Sequence, residues 1–214
     1  MIDSKALAEF FGTATLLLAV VGSSFMAERL TQDSALALFI NATVTAAVLA
    51  LIIRSGVNLS GAHFNPVVTL TALLLGKIKA LEALVYLIAQ VLGAIFGVIL
   101  ANLMFAEVVF SSSSIQRGGV AQLLGEVIAT TGLVFIAFSA RKKHVWKLIP
   151  LWIFGAYFFT VSTSFANPAV TLARFFTEAP AGIAGSSLPG FIAAQLLGAL
   201  LVLAVLRNRE RISR

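Results

Sequence analysis

Long apolar runs alternate with short polar intervals along this chain, and the length of each run decides what it can form. Residues 6–27, 35–53, 81–103, 120–140, 146–161 and 188–206 are predominantly apolar. Each comes close to the ~20 residues that a helix needs to cross a hydrocarbon core, so six membrane spans are predicted. Two further apolar runs are too short to cross. They follow Pro66 and Pro168 and last about ten residues, half of a span, before Gly76-Lys77 and Thr177-Glu178-Ala179-Pro180 break them. In both, Asn precedes Pro: the asparagine oxygen can cap a helix N-terminus, and proline suits the first helical position, where an N–H would have no partner. A half-helix is therefore predicted after Asn65 and another after Asn167.

These two stretches are copies. Ser60-Gly61-Ala62-His63-Phe64-Asn65-Pro66-Val67-Val68-Thr69-Leu70 returns 102 positions later as Ser164-Phe165-Ala166-Asn167-Pro168-Ala169-Val170-Thr171-Leu172. Other echoes follow the same plan. Ala8-Glu9-Phe10-Phe11-Gly12-Thr13 is answered by Gly125-Glu126-Val127-Ile128-Ala129-Thr130, and Ala89-Gln90-Val91-Leu92-Gly93-Ala94 by Ala194-Gln195-Leu196-Leu197-Gly198-Ala199. The expectation is one membrane domain over 1–214, with a first repeat at 1–110, a serine-rich connector around 111–119 and a second repeat at 120–214. Three spans per repeat is an odd number, so the second copy is inverted in the membrane. Two half-helices in corresponding places of inverted repeats point to a permeation site near the midplane.

Composition agrees with the pattern: 59% of residues are hydrophobic and 11% charged, far from the usage of soluble domains. The net charge of +6 could suggest nucleic acid, but its distribution gives another account. With both termini cytoplasmic, twelve of the fifteen Lys and Arg residues fall inside and Arg29, Arg117 and Arg174 outside. That bias is the positive-inside pattern of an inner-membrane protein in contact with lipid, and no nucleic-acid partner is expected. Cysteine is absent, which removes disulfides, thiolate metal sites and thiol catalysis. Lys5 ahead of the first run leaves a signal peptide as an alternative. Glu9 within the run, the lack of a small-x-small cleavage site and the counterpart of the run in the second half speak against it.

The two Asn-Pro stretches and the near-complete internal repeat resemble the aquaporin and aquaglyceroporin family, the major intrinsic proteins. That resemblance implies an all-α fold of six spans and two re-entrant half-helices, working as a passive channel for water and small neutral solutes and assembled as a homotetramer. It implies that Asn65, Pro66, Val67 and Asn167, Pro168, Ala169 form the two corners of the pore. It also implies that the carbonyls of Gly61, Ala62, His63, Thr163, Ser164 and Phe165 line it as acceptors. Each asparagine amide then offers donors to the pore while the helix ends repel cations. Counted from the two Asn residues without a gap, the family's selectivity filter falls on Thr45, Gly155, Ser164 and Val170. Water-selective members place an aromatic, a His and an Arg among these positions, and all four here are small and uncharged. In this respect the chain is most similar to bacterial aquaglyceroporins associated with arsenic resistance, which implies glycerol and metalloid hydroxides such as arsenite as solutes. Arg174, one turn past Val170, is read as a solvent-facing residue near Glu178 in preference to a displaced filter arginine.

Intramembrane carboxylates are functional candidates by default, and Glu9 and Glu126 are the main ones. Their matched positions favour bracing of the re-entrant loops, with Gln90 and Gln195 doing similar work. Gly93 and Gly97 offer a small face for close helix contact. His63 is assigned to the pore wall and His144 to a solvated basic loop. No metal site, cofactor or catalytic residue is expected, and no nucleophile, base and orienter constellation is visible. The rival reading is a secondary transporter with alternating access that uses Glu9 and Glu126 as coupling groups.

Overall fold

The computed structural model describes residues 4–212, with side chains to residue 208. Eight α-helices appear among them: α1 (Ser4–Leu30), α2 (Ser34–Gly56), α3 (Pro66–Leu74), α4 (Ala80–Met104), α5 (Gly119–Ser139), α6 (Lys142–Phe159), α7 (Pro168–Ala173) and α8 (Leu188–Ile212). Two 3-10 turns, Arg174–Phe176 and Gly185–Ser187, lie between α7 and α8. The four elements of the first half recur in the second, α1 with α5, α2 with α6, α3 with α7 and α4 with α8. Five helices are long and apolar enough to cross a membrane. The remaining long helix, α6, has 18 residues and carries Lys142, Lys143 and Lys147 in its first two turns. At 1.5 Å per residue it still reaches about 27 Å. His144 sits in the first turn of α6, exposed, where a loop was expected.

Polarity is inverted relative to a soluble protein. Leu81, Leu92, Leu103, Leu151 and Leu200 are exposed, whereas Glu9, Gln90, Glu126 and Gln195 are fully buried. Large side chains thus face lipid, and the polar groups are satisfied inside the bundle.

Within each half the first and third spans run parallel and pack together. Lys5 at the start of α1 pairs with Glu82 at the start of α4 at 2.8 Å, and Arg29 at the end of α1 donates to the Phe105 carbonyl just past α4 at 2.7 Å. Glycines permit this contact: a Cβ on Gly93 would lie 2.2 Å from the Phe10 carbonyl oxygen, and one on Gly97 2.2 Å from that of Ala14. Gly198 of α8 meets the Val127 carbonyl of α5 in the same way, at 2.7 Å. Backbone cannot yield as a flexible side chain would, so Gly93→Leu is expected to cost at least ~3 kcal/mol by overpacking. The expected readout is loss of the monodisperse peak in detergent size-exclusion chromatography, with Gly76→Ala, at a site with open space, less affected despite its left-handed φ of 68°.

The half-helices exchange partners between the repeats: α3 packs on α4 and α8, and α7 on α8 and α4. Parallel α1 and α4 require α3 to return to the side from which its loop entered. The matching path of the second half enters from the opposite side, and the two Asn-Pro corners meet between them.

Candidate functional site

The site begins with two loops that share an unusual backbone. At positions four, three and one before each asparagine the chain is left-handed: Gly61, Ala62 and Phe64 with φ of 92°, 53° and 48°, and Thr163, Ser164 and Ala166 with φ of 60°, 54° and 47°. Five of these six are not glycine, and each such residue costs about 1 kcal/mol or more. Surrounding contacts must hold the loops in place, and the buried carboxylates supply them. Glu9 accepts from the Ser60 hydroxyl at 2.6 Å, the His63 N–H at 3.0 Å, the Phe64 N–H at 2.6 Å and Gln90 Nε2 at 2.7 Å. Glu126 accepts from the Phe165 N–H at 2.9 Å, the Ala166 N–H at 2.8 Å and Gln195 Nε2 at 2.7 Å. Gln90 reaches on to Thr69 and Gln195 to Thr171, at 2.9 and 2.8 Å, tying each loop to the half-helix that follows it.

The asparagines work in two directions. Asn65 Oδ1 accepts from the Val67 N–H at 3.0 Å, and Asn167 Oδ1 from the N–H groups of Ala169 and Val170 at 3.0 and 3.3 Å, which caps α3 and α7. Pro66 and Pro168 occupy the first helical positions. Each Nδ2 then crosses to the other loop, Asn65 to the Ala166 carbonyl and Asn167 to the Phe64 carbonyl, both at 2.8 Å. One N–H of each amide thus clasps the opposite repeat, and the second is left for the lumen, whose wall both asparagines line. Val67 and Ala169 are buried behind the corners.

A cavity of about 540 Å³ runs past this clasp. Lys5, Lys77, Glu82 and Lys142 surround its entrance on the side of the helix α1 N-terminus, and Tyr157 and Arg174 line its far end. Gly61, Ala62, His63, Asn65, Ser164, Phe165 and Asn167 are on its wall, but Thr163 is not. His63 is held by a 3.1 Å contact between Nδ1 and the Thr69 hydroxyl and by edge contact with Tyr86. No group of three or more His, Cys, Asp or Glu that could hold a metal is present among the described residues.

Of the four filter positions counted from sequence, Thr45, Ser164 and Val170 line the cavity and Gly155 does not. Ile153 and Tyr157, two residues to either side of it, do. Residues 153 and 157 share one face of α6, while 155 lies about 200° round the helix from each. The gapless count therefore lands on the wrong face, and a phenol stands where an open glycine was expected, its hydroxyl 3.3 Å from the Thr45 hydroxyl. Arg174 also departs from expectation. It is 3% exposed, lies with its guanidinium carbon 3.4 Å from the centre of the Phe165 ring, and its Nε donates to the Ala181 carbonyl. Helix α7 ends at Ala173, and the following 3-10 turn brings residue 174 beneath the 177–184 segment instead of out to solvent. Glu178 serves elsewhere, accepting from the N–H and hydroxyl of Ser114.

Residues 2–163 match the major intrinsic protein family. The chain belongs to that family. It is 47% identical over 206 residues, 95% of this chain and 88% of the relative, to the aquaglyceroporin AqpS of Rhizobium meliloti (strain 1021). It is also 34% identical over 161 residues to a probable TIP-type aquaporin of Medicago truncatula, covering 69% of this chain and 62% of that one. In structure it is similar to the aquaglyceroporin from Plasmodium falciparum, with a TM-score of 0.71, 16% identity, and coverage of 94% and 93% of the two chains. This major intrinsic protein is an integral membrane protein and a passive channel for water and small solutes. No relative supports the transporter alternative.

Proposed function

We propose that the channel conducts small neutral polyols and metalloid hydroxides such as arsenite as well as water, and that Thr45, Ser164 and Val170, together with Tyr157, form its selective end. The observation that carries this reading is Val170, the third residue after Asn167: an apolar side chain lines the cavity there, and the arginine on this end of the wall, Arg174, stands one helical turn further along. Pores select by diameter, lining donors and electrostatic barriers, and a wall of Thr, Ser and Val relaxes the first while leaving hydroxyls for the second. Tyr157 is drawn toward α2 by its bond to Thr45, which keeps the phenol against the wall. The carbonyls of Gly61, Ala62, His63, Ser164 and Phe165, the residues of this set on the cavity wall, accept no hydrogen bond within the described residues. They serve as a ladder of acceptors for a solute shedding its water. Irregular backbone of this kind is tolerated at membrane depth where it faces a wet cavity. The relative from Rhizobium meliloti, an aquaglyceroporin by name, supports the same class of solute.

The protein acts as a homotetramer with one pore per subunit in the cell's inner membrane. Both termini are cytoplasmic, following the loop charges, and there is no catalytic step. The side chains of Arg209, Arg211 and Arg214, three of the inside charges, lie outside the described residues. Val170→Arg is expected to cut glycerol and arsenite flux proportionally more than water flux in stopped-flow light scattering on proteoliposomes. Equal loss of all three fluxes would contradict the assignment. So would wild-type protein that conducts water while glycerol and arsenite stay at the bare-liposome rate.

A further inference from the structure

The segment that leaves α4 exposes large apolar side chains where no membrane span accounts for them. Val108 is 68% and Phe110 59% exposed in a stretch without regular secondary structure, close to Leu103 and Met104 at the end of α4, which are 55% and 70% exposed. The chain does not simply run on into water. Ala106 is left-handed, with φ of 60°, and the Glu107 N–H donates to the Asn102 carbonyl at 2.9 Å, a cap that turns the chain out of the helix. Asn102 Nδ2 then donates to the Val109 carbonyl at 3.2 Å. Helical side chains lean toward the N-terminus of their own helix, and Asn102 lies two residues before the end of α4, so this bond draws Val109 back beside the last turn. Residues 108–110 therefore sit at the depth of Leu103. Polar groups bracket them: Glu107 is exposed on one side, and Ser111-Ser112-Ser113-Ser114 follow on the other. Arg29, which donates to the Phe105 carbonyl at 2.7 Å, marks the same level at the end of α1.

We infer that residues 108–110 form a lipid-seated foot, which holds the connector between the repeats in the bilayer interface with the Val108 and Phe110 side chains among the upper acyl chains. Lipid is the occupant because the patch continues the α4 face on which Leu92 and Leu103 are exposed. Length agrees: the 25 residues of α4 span about 38 Å, past a hydrocarbon core of ~30 Å, which brings the turn at Ala106 to headgroup level. Irregular backbone cannot lie bare in hydrocarbon, where each unpaired N–H and C=O is costly, so the foot rests at the interface and only its side chains go deeper. The foot also reaches the pore. The Phe110 ring meets Phe176 edge-on with centres 5.9 Å apart, Asn102 Nδ2 donates to the Phe176 carbonyl at 2.9 Å, and the Ser113 N–H donates to the Phe175 carbonyl at 2.8 Å. Phe175 and Phe176 follow Arg174 in the turn at the far end of the cavity, so the foot fastens that rim to the membrane surface.

Because the chain has no cysteine, a nitroxide can be attached at one residue at a time. Val108→Cys and Phe110→Cys are spin-labelled and reconstituted in phospholipid vesicles. Leu92→Cys, exposed at the middle of α4, and Ser112→Cys, exposed in the connector, serve as the lipid and water references. Power-saturation EPR reads the accessibility of each label to oxygen, which concentrates among acyl chains, and to a nickel chelate, which stays in water. The oxygen-to-nickel ratio of the Val108→Cys and Phe110→Cys labels is expected to stand several-fold above that of Ser112→Cys, toward that of Leu92→Cys. A ratio no higher than that of Ser112→Cys in either folded variant would overturn the inference, since the segment would then be a solvated loop. Low accessibility to both reagents in either would overturn it too, because a second copy of the chain and not lipid would cover the patch. If Phe110→Cys fails size-exclusion chromatography, Val108→Cys carries the test.

Discussion

Replacing Glu9 with alanine is expected to leave little folded protein. The carboxylate accepts four hydrogen bonds, from the Ser60 hydroxyl, the His63 and Phe64 N–H groups and Gln90, and its residue is fully buried. Alanine leaves these donors unpaired where water does not reach. At ~1–3 kcal/mol for each buried unsatisfied group, the sum rivals the whole stability of an ordinary domain. The loop, with its left-handed Ala62 and Phe64, would lose the contacts that hold it. Glu9→Gln keeps one acceptor oxygen and should be milder. Yield and melting temperature in detergent check both variants, and Glu126→Ala should behave like Glu9→Ala because its partners repeat. A transporter with Glu9 as a coupling group predicts another outcome: a folded alanine variant that has lost only its dependence on an ion gradient.

The second large effect is expected at the clasp between the loops. Asn65→Asp keeps the cap on α3, since an oxygen still faces the Val67 N–H, but loses the donor to the Ala166 carbonyl. It sets a carboxylate against that carbonyl oxygen and against the positive ends of two half-helices. Proton and sodium leak should therefore rise, because the charge that repels cations at the narrow centre is offset. Asn167→Asp should do the same through Phe64. A pH-sensitive dye trapped in proteoliposomes reads the leak. Unchanged leak in both variants, with folding intact, would remove the corners from the account of cation exclusion.

Much of this arrangement was legible in the sequence because its causes are local or repeated. Capping by Asn and Pro needs only neighbouring residues, so the starts of α3 and α7 follow from the tetrads around Asn65 and Asn167. The matched places of Glu9 and Glu126, and of Gln90 and Gln195, point to one shared role, and their bonds to the loop N–H groups and between Gln and Thr repeat position for position, while the Ser60 hydroxyl on Glu9 has no counterpart. Tyr157 was not legible, because which face of α6 meets the lumen depends on how α6 packs on α2, and a count along the chain carries no helix phase. Arg174 was misread for a related reason. Its burial is set by the 177–184 segment folding over it, and the contact with Ala181 joins residues across a turn that no periodicity announces.

The central claim is that solutes cross by passive movement through the cavity beside the Asn65 and Asn167 clasp. The most direct test is glycerol flux into proteoliposomes by stopped-flow light scattering, with pH and salt equal on both sides, over a wide range of glycerol gradients. A passive channel predicts flux above bare liposomes that rises in proportion to the gradient and does not change when a proton or sodium gradient is imposed. Flux that saturates at ordinary concentrations, or that appears only with an ion gradient, would contradict it.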